Sequence, residues 1–552
     1  MALVRRVNNS FGFVLNTIHC KCIVNIKGLK RESDIMRYSN LAGAEILDRD
    51  YRTFAQMIKF RQTEAKKSVI IKISEVGHIE HLKKFCEYYA KIVNVFPYNT
   101  IDNNRFVLME CSSQKDVEAL RNIAVCKADP EYAHSVTPFF LYKPRVKLSN
   151  QNTLNKDSYE YHSNFVTPNL NKINQSLKKI QSVSNQMIFL YDTLRITELN
   201  IRLRFYTATQ ISYYLSQLFV NLSVVPFGSS VNGFGQIGCD LDLLCKTNIP
   251  SNDTSGWKKF LFLTQIVPFT DRVEQKHFLD VIGTIIKTCM PGVTDVKKIL
   301  EARVPIIKFR NLNTNMQCDL CSTNMTALHM SELLYLYGQL DWRVKPLVFT
   351  IRKWARSMNL TKENPGQWIT NFSLTLLILF YLQTKHILPS LSSIKIFRDK
   401  SNTIDNFDWF LKWKNSVSNN DESLSKLLFE FFEYYCFFDF KTHALCLRDG
   451  ITKLKKDASP LYIYNPFNPS LNVSKNVTLS ELLRLVGHFQ RASQIMLNST
   501  EQDTLVKLIN FDSNSTINGF NRKNKLELIS EKFIPNVTNT NNLQKIEKNI
   551  IK

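Results

Sequence analysis

Between Val224 and Leu244 the chain reads VVPFGSSVNGFGQIGCDLDLL, and this stretch limits what the whole can be. A short apolar run, Val224 to Phe227, stops at Gly228, Ser229 and Ser230. A glycine-punctuated segment follows, and Asp240-Leu241-Asp242 opens a second apolar run. The first run reads as a strand, and the Gly-Ser pair as a tight turn where backbone can approach a ligand closely. In the second run residues i and i+2 share a face, so Asp240 and Asp242 point the same way while Leu241 and Leu243 turn to the core. Two carboxylates held this close repel each other. A pair of divalent metal ions removes that cost, because carboxylate oxygens suit a hard cation such as Mg²⁺.

A third acid lies downstream. Val304 to Phe309 reads as a strand, Asn311 to Asn315 as a turn, and Met316 to Cys321 (MQCDLC) as another strand. Asp319 is a charge in an apolar setting, which is costly unless it is paired or metal-bound. Taken singly, the three aspartates also read as surface or turn residues; the combined spacing is what singles them out. A Gly-Ser turn, a D-x-D strand opening and a lone acid on a later strand together resemble the polymerase-beta-like nucleotidyltransferase superfamily. Within it, the resemblance is to the template-independent poly(A) and terminal uridylyl polymerases, the mitochondrial poly(A) polymerase branch above all.

The resemblance implies a fold class and a reaction. The expected fold is an α/β (α+β) nucleotidyltransferase domain, a mostly helical poly(A)-polymerase-associated domain, and an N-terminal RRM-like α/β domain. The expected reaction is attack of an RNA 3′-hydroxyl on the α-phosphate of ATP, with pyrophosphate leaving. Asp240, Asp242 and Asp319 would hold two ions, Mg²⁺ or Mn²⁺, and Gly228 and Ser229 would present N–H groups and a hydroxyl to phosphate. Asn324 would touch the nucleotide sugar; read from the sequence alone it is equally a helix cap. Arg352 and Arg356, four apart and so on one helix face, stand where relatives place two lysines against the triphosphate; the other reading is a solvated face. Asn371 and Phe372 fall in the base pocket, where terminal uridylyl enzymes usually carry a serine and a tyrosine. Phe372 can stack but has no hydroxyl to donate. The ITNFSLTLLILFYLQ run favours ATP; a terminal uridylyltransferase using UTP is the alternative, and an inactive RNA-binding or dimeric scaffold the second. Expected partners are RNA 3′ ends of mitochondrial transcripts, ATP and a second copy of the chain.

Two rival phosphate-binding plans fail. The chain has no G-x-x-x-x-G-K-[ST]. Gly233 to Gly238 does satisfy G-x-G-x-x-G, but it precedes a DLD strand instead of opening a helix after a first strand.

The rest of the chain organises around this core. With 552 residues, about two to four domains are expected. A net charge of +23 and a pI near 9.4 attract polyanions, nucleic acid foremost, with a membrane surface or plain solubility as the bland alternatives. Twelve scattered cysteines suggest reducing conditions over a disulfide framework. Cys20-x-Cys22 and Cys318-x-x-Cys321 lack the further ligands a structural zinc needs. Phe372 to Leu382 is too short to span a bilayer, so no membrane span is expected. Residues 1–40, with no acid before Glu32, match a mitochondrial targeting segment or a basic tail, the family resemblance favouring import to the matrix. Residues 45–145 alternate strand, helix, strand, strand, helix like an RRM. Its one plausible base platform, Phe106, equally reads as core, and the resemblance implies dimerisation for this domain. Residues 146–197 are linker and joining helices, 198–338 the catalytic domain, and 339–500 the helical domain. The aromatic run LLFEFFEYYCFF reads as packing, Leu461 to Asn476 resembles the associated segment that returns to the pocket, and 501–552 is expected to be a flexible basic, Asn-rich tail.

Overall fold

The computed structural model describes residues 52–74, 78–124, 139–142, 169–219, 222–247, 272–322, 324–364, 366–394 and 420–510. The targeting segment, the polar linker before residue 169 and the Asn-rich residues from 511 on lie outside the described residues.

The described chain begins with helix α1, Phe54–Lys66, which the sequence reading did not anticipate. Thr53 and Gln56 start it by a reciprocal capping box: Gln56 N donates to Thr53 Oγ1 (3.3 Å) and Thr53 N to Gln56 Oε1 (3.0 Å). There follow β1 (Ser68–Ile73), α2 (His78–Glu87), β2 (Ile92–Asn99), β3 (Arg105–Cys111), α3 (Gln114–Ile123) and β4 (Phe139–Tyr142). The sheet order is β2-β3-β1-β4. Order and element sequence match the expected RRM-like module, but one pairing departs from it. A split β-α-β arrangement makes β4 parallel to β3 and therefore antiparallel to β1; here Ile70 pairs with Phe139 and Ile73 with Tyr142 in parallel.

Strand alternation gives this sheet two apolar faces. Val69, Ile71, Ile73, Val107 and Met109 pack on Ile79, Leu82, Val117 and Leu120 of the two helices. Ile70, Tyr98, Phe106 and Leu108 face the other way, into the core of the catalytic region. Phe106 is 4% exposed and stacks on Tyr98, with ring centroids 5.6 Å apart. The face on which an RRM stacks bases is therefore consumed by intramolecular packing.

Helices α4 (Leu170–Leu177), α5 (Val183–Leu194) and α6 (Glu198–Ser216) lead to the catalytic sheet. α6 carries the contact with the N-terminal module. Tyr206 Oη accepts from Ile70 N (3.3 Å), and Arg202 bridges Glu64 (2.7 Å), Glu110 (2.9 Å) and Glu198 (2.9 Å), joining α1, β3 and α6. Next come β5 (Leu222–Phe227), β6 (Leu241–Thr247), α7 (Arg272–Cys289), β7 (Val293–Ile299), β8 (Ile306–Asn311) and β9 (Met316–Cys321). They form a sheet in the order β5-β6-β9-β8-β7. The β6–β9 pair is parallel and every other pair antiparallel.

The remaining described chain is mostly helical: α8 (Met325–Leu340), α9 (Val344–Ser357), α10 (Asn371–Thr384), α11 (Leu424–Phe437), the hairpin β10 (His443–Cys446) and β11 (Ile451–Leu454), α12 (Leu479–Asn498) and α13 (Glu501–Ile509). α10 is buried from Ser373 to Gln383, as a helix that is apolar almost all round requires. The aromatic run of α11 is core: Phe431, Phe432 and Tyr435 are fully buried, and Trp354 stacks on Phe489 and meets Phe432 at a tilt. α13 corrects the expectation of a flexible tail from residue 501. Leu505, Leu508 and Ile509 are buried in the core shared with α5, and Gln186 Nε2 donates to the carbonyl of Gln502 (2.8 Å). Three apolar side chains within five residues bury enough surface to hold a short helix, whatever the composition beyond it. Among the described residues no helix is long and apolar enough to cross a membrane.

Candidate active site

The three aspartates meet at the middle of the catalytic sheet. Parallel pairing sets Asp242 of β6 opposite Asp319 of β9, and Asp240 lies just before β6. On either side of Asp242 and Asp319, Leu241, Leu243, Cys318 and Leu320 are buried, so the period-two pleat puts the carboxylates on the opposite face. On the third strand, β8, Lys308 is the register partner of Asp319. Its Nζ lies 2.8 Å from Asp319 Oδ2 and 4.0 Å from Asp240 Oδ2.

The electrostatics are those of crowded acids. Burial, then the charges of Asp319 and Asp240, push the Asp242 carboxyl up to about 7. Burial and Asp319 raise Asp240 in the same direction. Burial acts to lower the Lys308 ammonium, yet its hydrogen bond to Asp319 and the three nearby carboxylates hold it above the ordinary lysine range. Among the described residues no three His, Cys, Asp or Glu side chains are drawn together as ion ligands in this arrangement; positive charge reaches the cluster from Lys308. Two carboxylates from adjacent strands and a third from the turn before one of them, mutually repelling and already attracting one cation, are a donor set whose chemistry fits hard divalent ions.

Gly228 has φ +66°, and a Cβ built there would lie 2.5 Å from Asp242 Oδ2. Its turn is thus the wall against which Asp242 is set. Its N–H, expected to face phosphate, donates here to Ser331 Oγ of α8 (2.8 Å). Ser229 Oγ donates to Cys239 Sγ (3.4 Å), a weak contact that a rotating hydroxyl can give up. Gly235 folds back so closely that a Cβ would meet the Ser229 carbonyl oxygen at 2.5 Å.

Arg204 of α6 fastens this loop, and the sequence reading missed it. It is 2% exposed. Its guanidinium donates to Asn200 Oδ1 (2.9 Å), Ser230 Oγ (2.7 Å), the Asp240 carbonyl (2.9 Å) and the Cys239 carbonyl (2.5 Å). The available signal was an arginine set between Leu203, Phe205 and Tyr206 on a helix with a broad apolar face.

The other nominated residues divide. Asn324 caps α8, its Oδ1 accepting from Ala327 N (3.2 Å), which leaves the amide Nδ2 as its donor. Arg352 donates from Nη1 to the Phe234 carbonyl (2.9 Å) and from Nε to Thr375 Oγ1 (2.9 Å), and burial lowers its pKa to about 10. It ties the glycine loop to α10. Arg356 is exposed and pairs with Glu363 (2.5 Å), whose charge also acts on Asp240. At the start of α10, Asn371 is exposed while Phe372 is half-buried against the helical core. The 461–476 segment does return to this region. Asn476 Nδ2 donates to the carbonyls of Gly366 (2.6 Å) and Trp368 (2.8 Å), beside the turn that leads into α10.

Comparison with known proteins bears on this geometry. Residues 183–339 match the central palm domain model of mitochondrial-like poly(A) RNA polymerases, and 423–471 the associated-domain model of the Cid1 family of poly A polymerases. The mitochondrial poly(A) RNA polymerase of Homo sapiens is 36% identical over 462 residues, 81% of this chain and 77% of its own length. That of Mus musculus is 34% identical over 449 residues, 79% of this chain and 76% of its own. The crystal structure of mtPAP in complex with ATPγS superposes with a TM-score of 0.73 at 31% identity, covering 82% of this chain and 97% of that one.

Proposed function

This chain belongs to the mitochondrial poly(A) RNA polymerase family, and from that premise we propose that it lengthens RNA 3′ ends with AMP from ATP, without a template, releasing pyrophosphate. The observation that carries the reading is the pairing of Asp242 with Asp319 across adjacent parallel strands, with Asp240 beside them. In the reaction the 3′-oxygen gains a bond to the α-phosphorus and loses its proton, and the bond from that phosphorus to the β-phosphate's bridging oxygen breaks. Asp240, Asp242 and Asp319 would hold divalent ions, Mg²⁺ or Mn²⁺. When bound, such ions acidify the attacking hydroxyl and neutralise charge on the departing pyrophosphate.

The chain's own groups do the positioning. Gly228 admits Asp242 to its place, and Arg204 holds the carbonyls of Cys239 and Asp240 so that the two acids of the D-x-D are presented together. Ser229 Oγ offers a hydroxyl to phosphate oxygens. Arg356, paired only at the surface, is the better phosphate donor of the two arginines, while Arg352 acts chiefly by linking the Phe234 carbonyl to α10. Asn324 Nδ2 serves the sugar, and the Asn371–Phe372 pair the base. ATP is preferred to UTP because the family's named activity is poly(A) synthesis.

Two further points go with this reading. The enzyme works in the mitochondrial matrix, its relatives being named mitochondrial. It is a homodimer. With one face of the N-terminal sheet buried against the catalytic core, the exposed aromatics Phe85, Tyr88 and Tyr89 of the outer helix and the loop after it offer the contact. A monomer by light scattering at micromolar concentration would remove that last point.

The deciding assay extends a short RNA primer with ATP, UTP, CTP or GTP, with and without Mg²⁺. AMP addition dependent on Mg²⁺ and lost in Asp240→Ala is expected; preferential UTP incorporation, or undiminished extension by Asp240→Ala, overturns the reading.

A further inference from the structure

The carboxylate cluster contains a cation of the chain's own. Ile307 and Phe309 are buried at 0% and 1% exposure, so strand alternation sends Lys308, between them, to the carboxylate face. Directly opposite Asp319 in the antiparallel register, its ammonium sits 2.8 Å from Asp319 Oδ2 and 4.0 Å from Asp240 Oδ2. Among the described residues it is the cation that forms ion pairs with these aspartates. Arg204 is close, but its guanidinium is spent on Asn200, Ser230 and two backbone carbonyls. The Lys308 side chain is 41% exposed and hangs on a flexible four-carbon stem, so it can leave the cluster without disturbing the core.

We propose that Lys308 is a built-in counterion that competes with a divalent ion for Asp319, and thereby sets the ion concentration at which the enzyme becomes active. The proposal rests on the polymerase reading above. Three carboxylates without a cation repel one another, and an ammonium relieves part of that repulsion as a compact point charge. An Asp319 oxygen that accepts an ammonium N–H has a lone pair directed away from any ion, and two cations at one carboxylate repel. Ion entry must therefore displace the lysine from Asp319, and the free energy of the broken pair is subtracted from ion affinity. A lysine that merely held β8 to β9 would have the opposite signature: removing it would loosen the site and weaken ion binding.

The sign of that change is the test. Mn²⁺ is titrated into the full chain without nucleotide or RNA, and free Mn²⁺ is read from its paramagnetic resonance signal. Lys308→Gln and Lys308→Met should each bind Mn²⁺ about tenfold more tightly than wild type, about 1.4 kcal/mol. Lys308→Arg, which keeps the charge, should stay within about threefold of wild type. Unchanged or weaker Mn²⁺ binding in both neutral variants overturns the proposal. Asp319→Asn separates the two levels of the argument. If it binds Mn²⁺ as wild type does, the aspartates are not the ion site and the polymerase reading falls with the proposal. If it weakens binding while the neutral lysine variants fail to tighten it, the role of Lys308 alone is refuted.

Discussion

Replacing Gly228 with alanine tests how tightly the turn and Asp242 are fitted together. The added Cβ would stand 2.5 Å from Asp242 Oδ2 and 3.3 Å from its Cγ. Ordinary contact begins at 3.4 Å, so the carboxylate must retreat by about 1 Å or the turn must open by as much. Displacements of that size at reacting groups cost about 100-fold in rate, close to 2.7 kcal/mol of barrier. Separately, an alanine at φ +66° costs about 1–2 kcal/mol of stability, because its Cβ crowds the following carbonyl. Gly228→Ala should therefore fold, melt a few degrees lower, and lose about two orders of magnitude in kcat/KM for ATP in primer extension. Gly233→Ala is the control. That glycine also has a positive φ of +83°, but its Cβ would meet only the flexible end of Lys345, at 3.2 Å. It should pay the same backbone cost and keep most of the activity. Gly228→Ala activity within threefold of wild type, or equal losses in the two variants, would refute the claim that this turn positions Asp242.

Three further outcomes follow from the same geometry. Arg204→Met leaves the part-buried carbonyls of Cys239 and Asp240, with Asn200 and Ser230, without their donor, so it should cost about 2 kcal/mol in urea denaturation and lower kcat; a loss under about 0.5 kcal/mol would refute the clamp. The two arginines of α9 should separate by assay: Arg356→Ala raises KM for ATP about tenfold with an unchanged melting temperature, whereas Arg352→Ala lowers the melting temperature by several degrees and reduces kcat. In EDTA the Asp242 carboxyl titrates near 7 in the fold against 3.8 for the ordinary group, so the fold favours its protonated form; that contribution is full below pH 3.8 and lost as pH rises to about 7. Asp242→Asn should consequently gain about 4 kcal/mol on wild type between pH 4 and pH 8 in EDTA, and a gap independent of pH would refute the crowding of the acids.

The parts of the fold that were legible in the sequence are those whose cause is local. The D-x-D spacing, the MQCDLC strand and the solid apolar run of α10 each state their face and period within a few residues, and all three lie where that period puts them. α1 is different. Only Phe54, Glu64 and Ala65 of its residues are buried, so it has almost no apolar stripe to read; its place comes from its caps and from Arg61 and Arg202 bridging it to α6. α13 was obscured by the polar sequence that follows it. The parallel β4 was hidden for another reason: a four-residue edge strand has no pattern of its own, and its direction is set by a partner some seventy positions away in the chain.

The same distinction explains the site. A carboxylate pair announces itself because repulsion between neighbours in sequence requires an explanation in chemistry. Arg204, Ser331 and Lys308 carry little such tension locally; the role of each appears only when the fold brings it to Ser230, Gly228 and Asp319, which lie 26, 103 and 11 positions away in the chain. Phe106 shows the converse. Locally it satisfies both a base-stacking platform and a core side chain, and only the docking of α6 decides between them, by covering the sheet face with Leu199, Leu203 and Tyr206. With this sheet face packed on α6, an RNA strand would be held elsewhere, attracted by the +23 charge without an aromatic platform here. Substituting Phe106 should therefore reduce stability by about 3–5 kcal/mol for Phe106→Ala, with primer affinity unchanged in whatever fraction remains folded. Weakened RNA binding by folded protein would return the sheet face to the RNA.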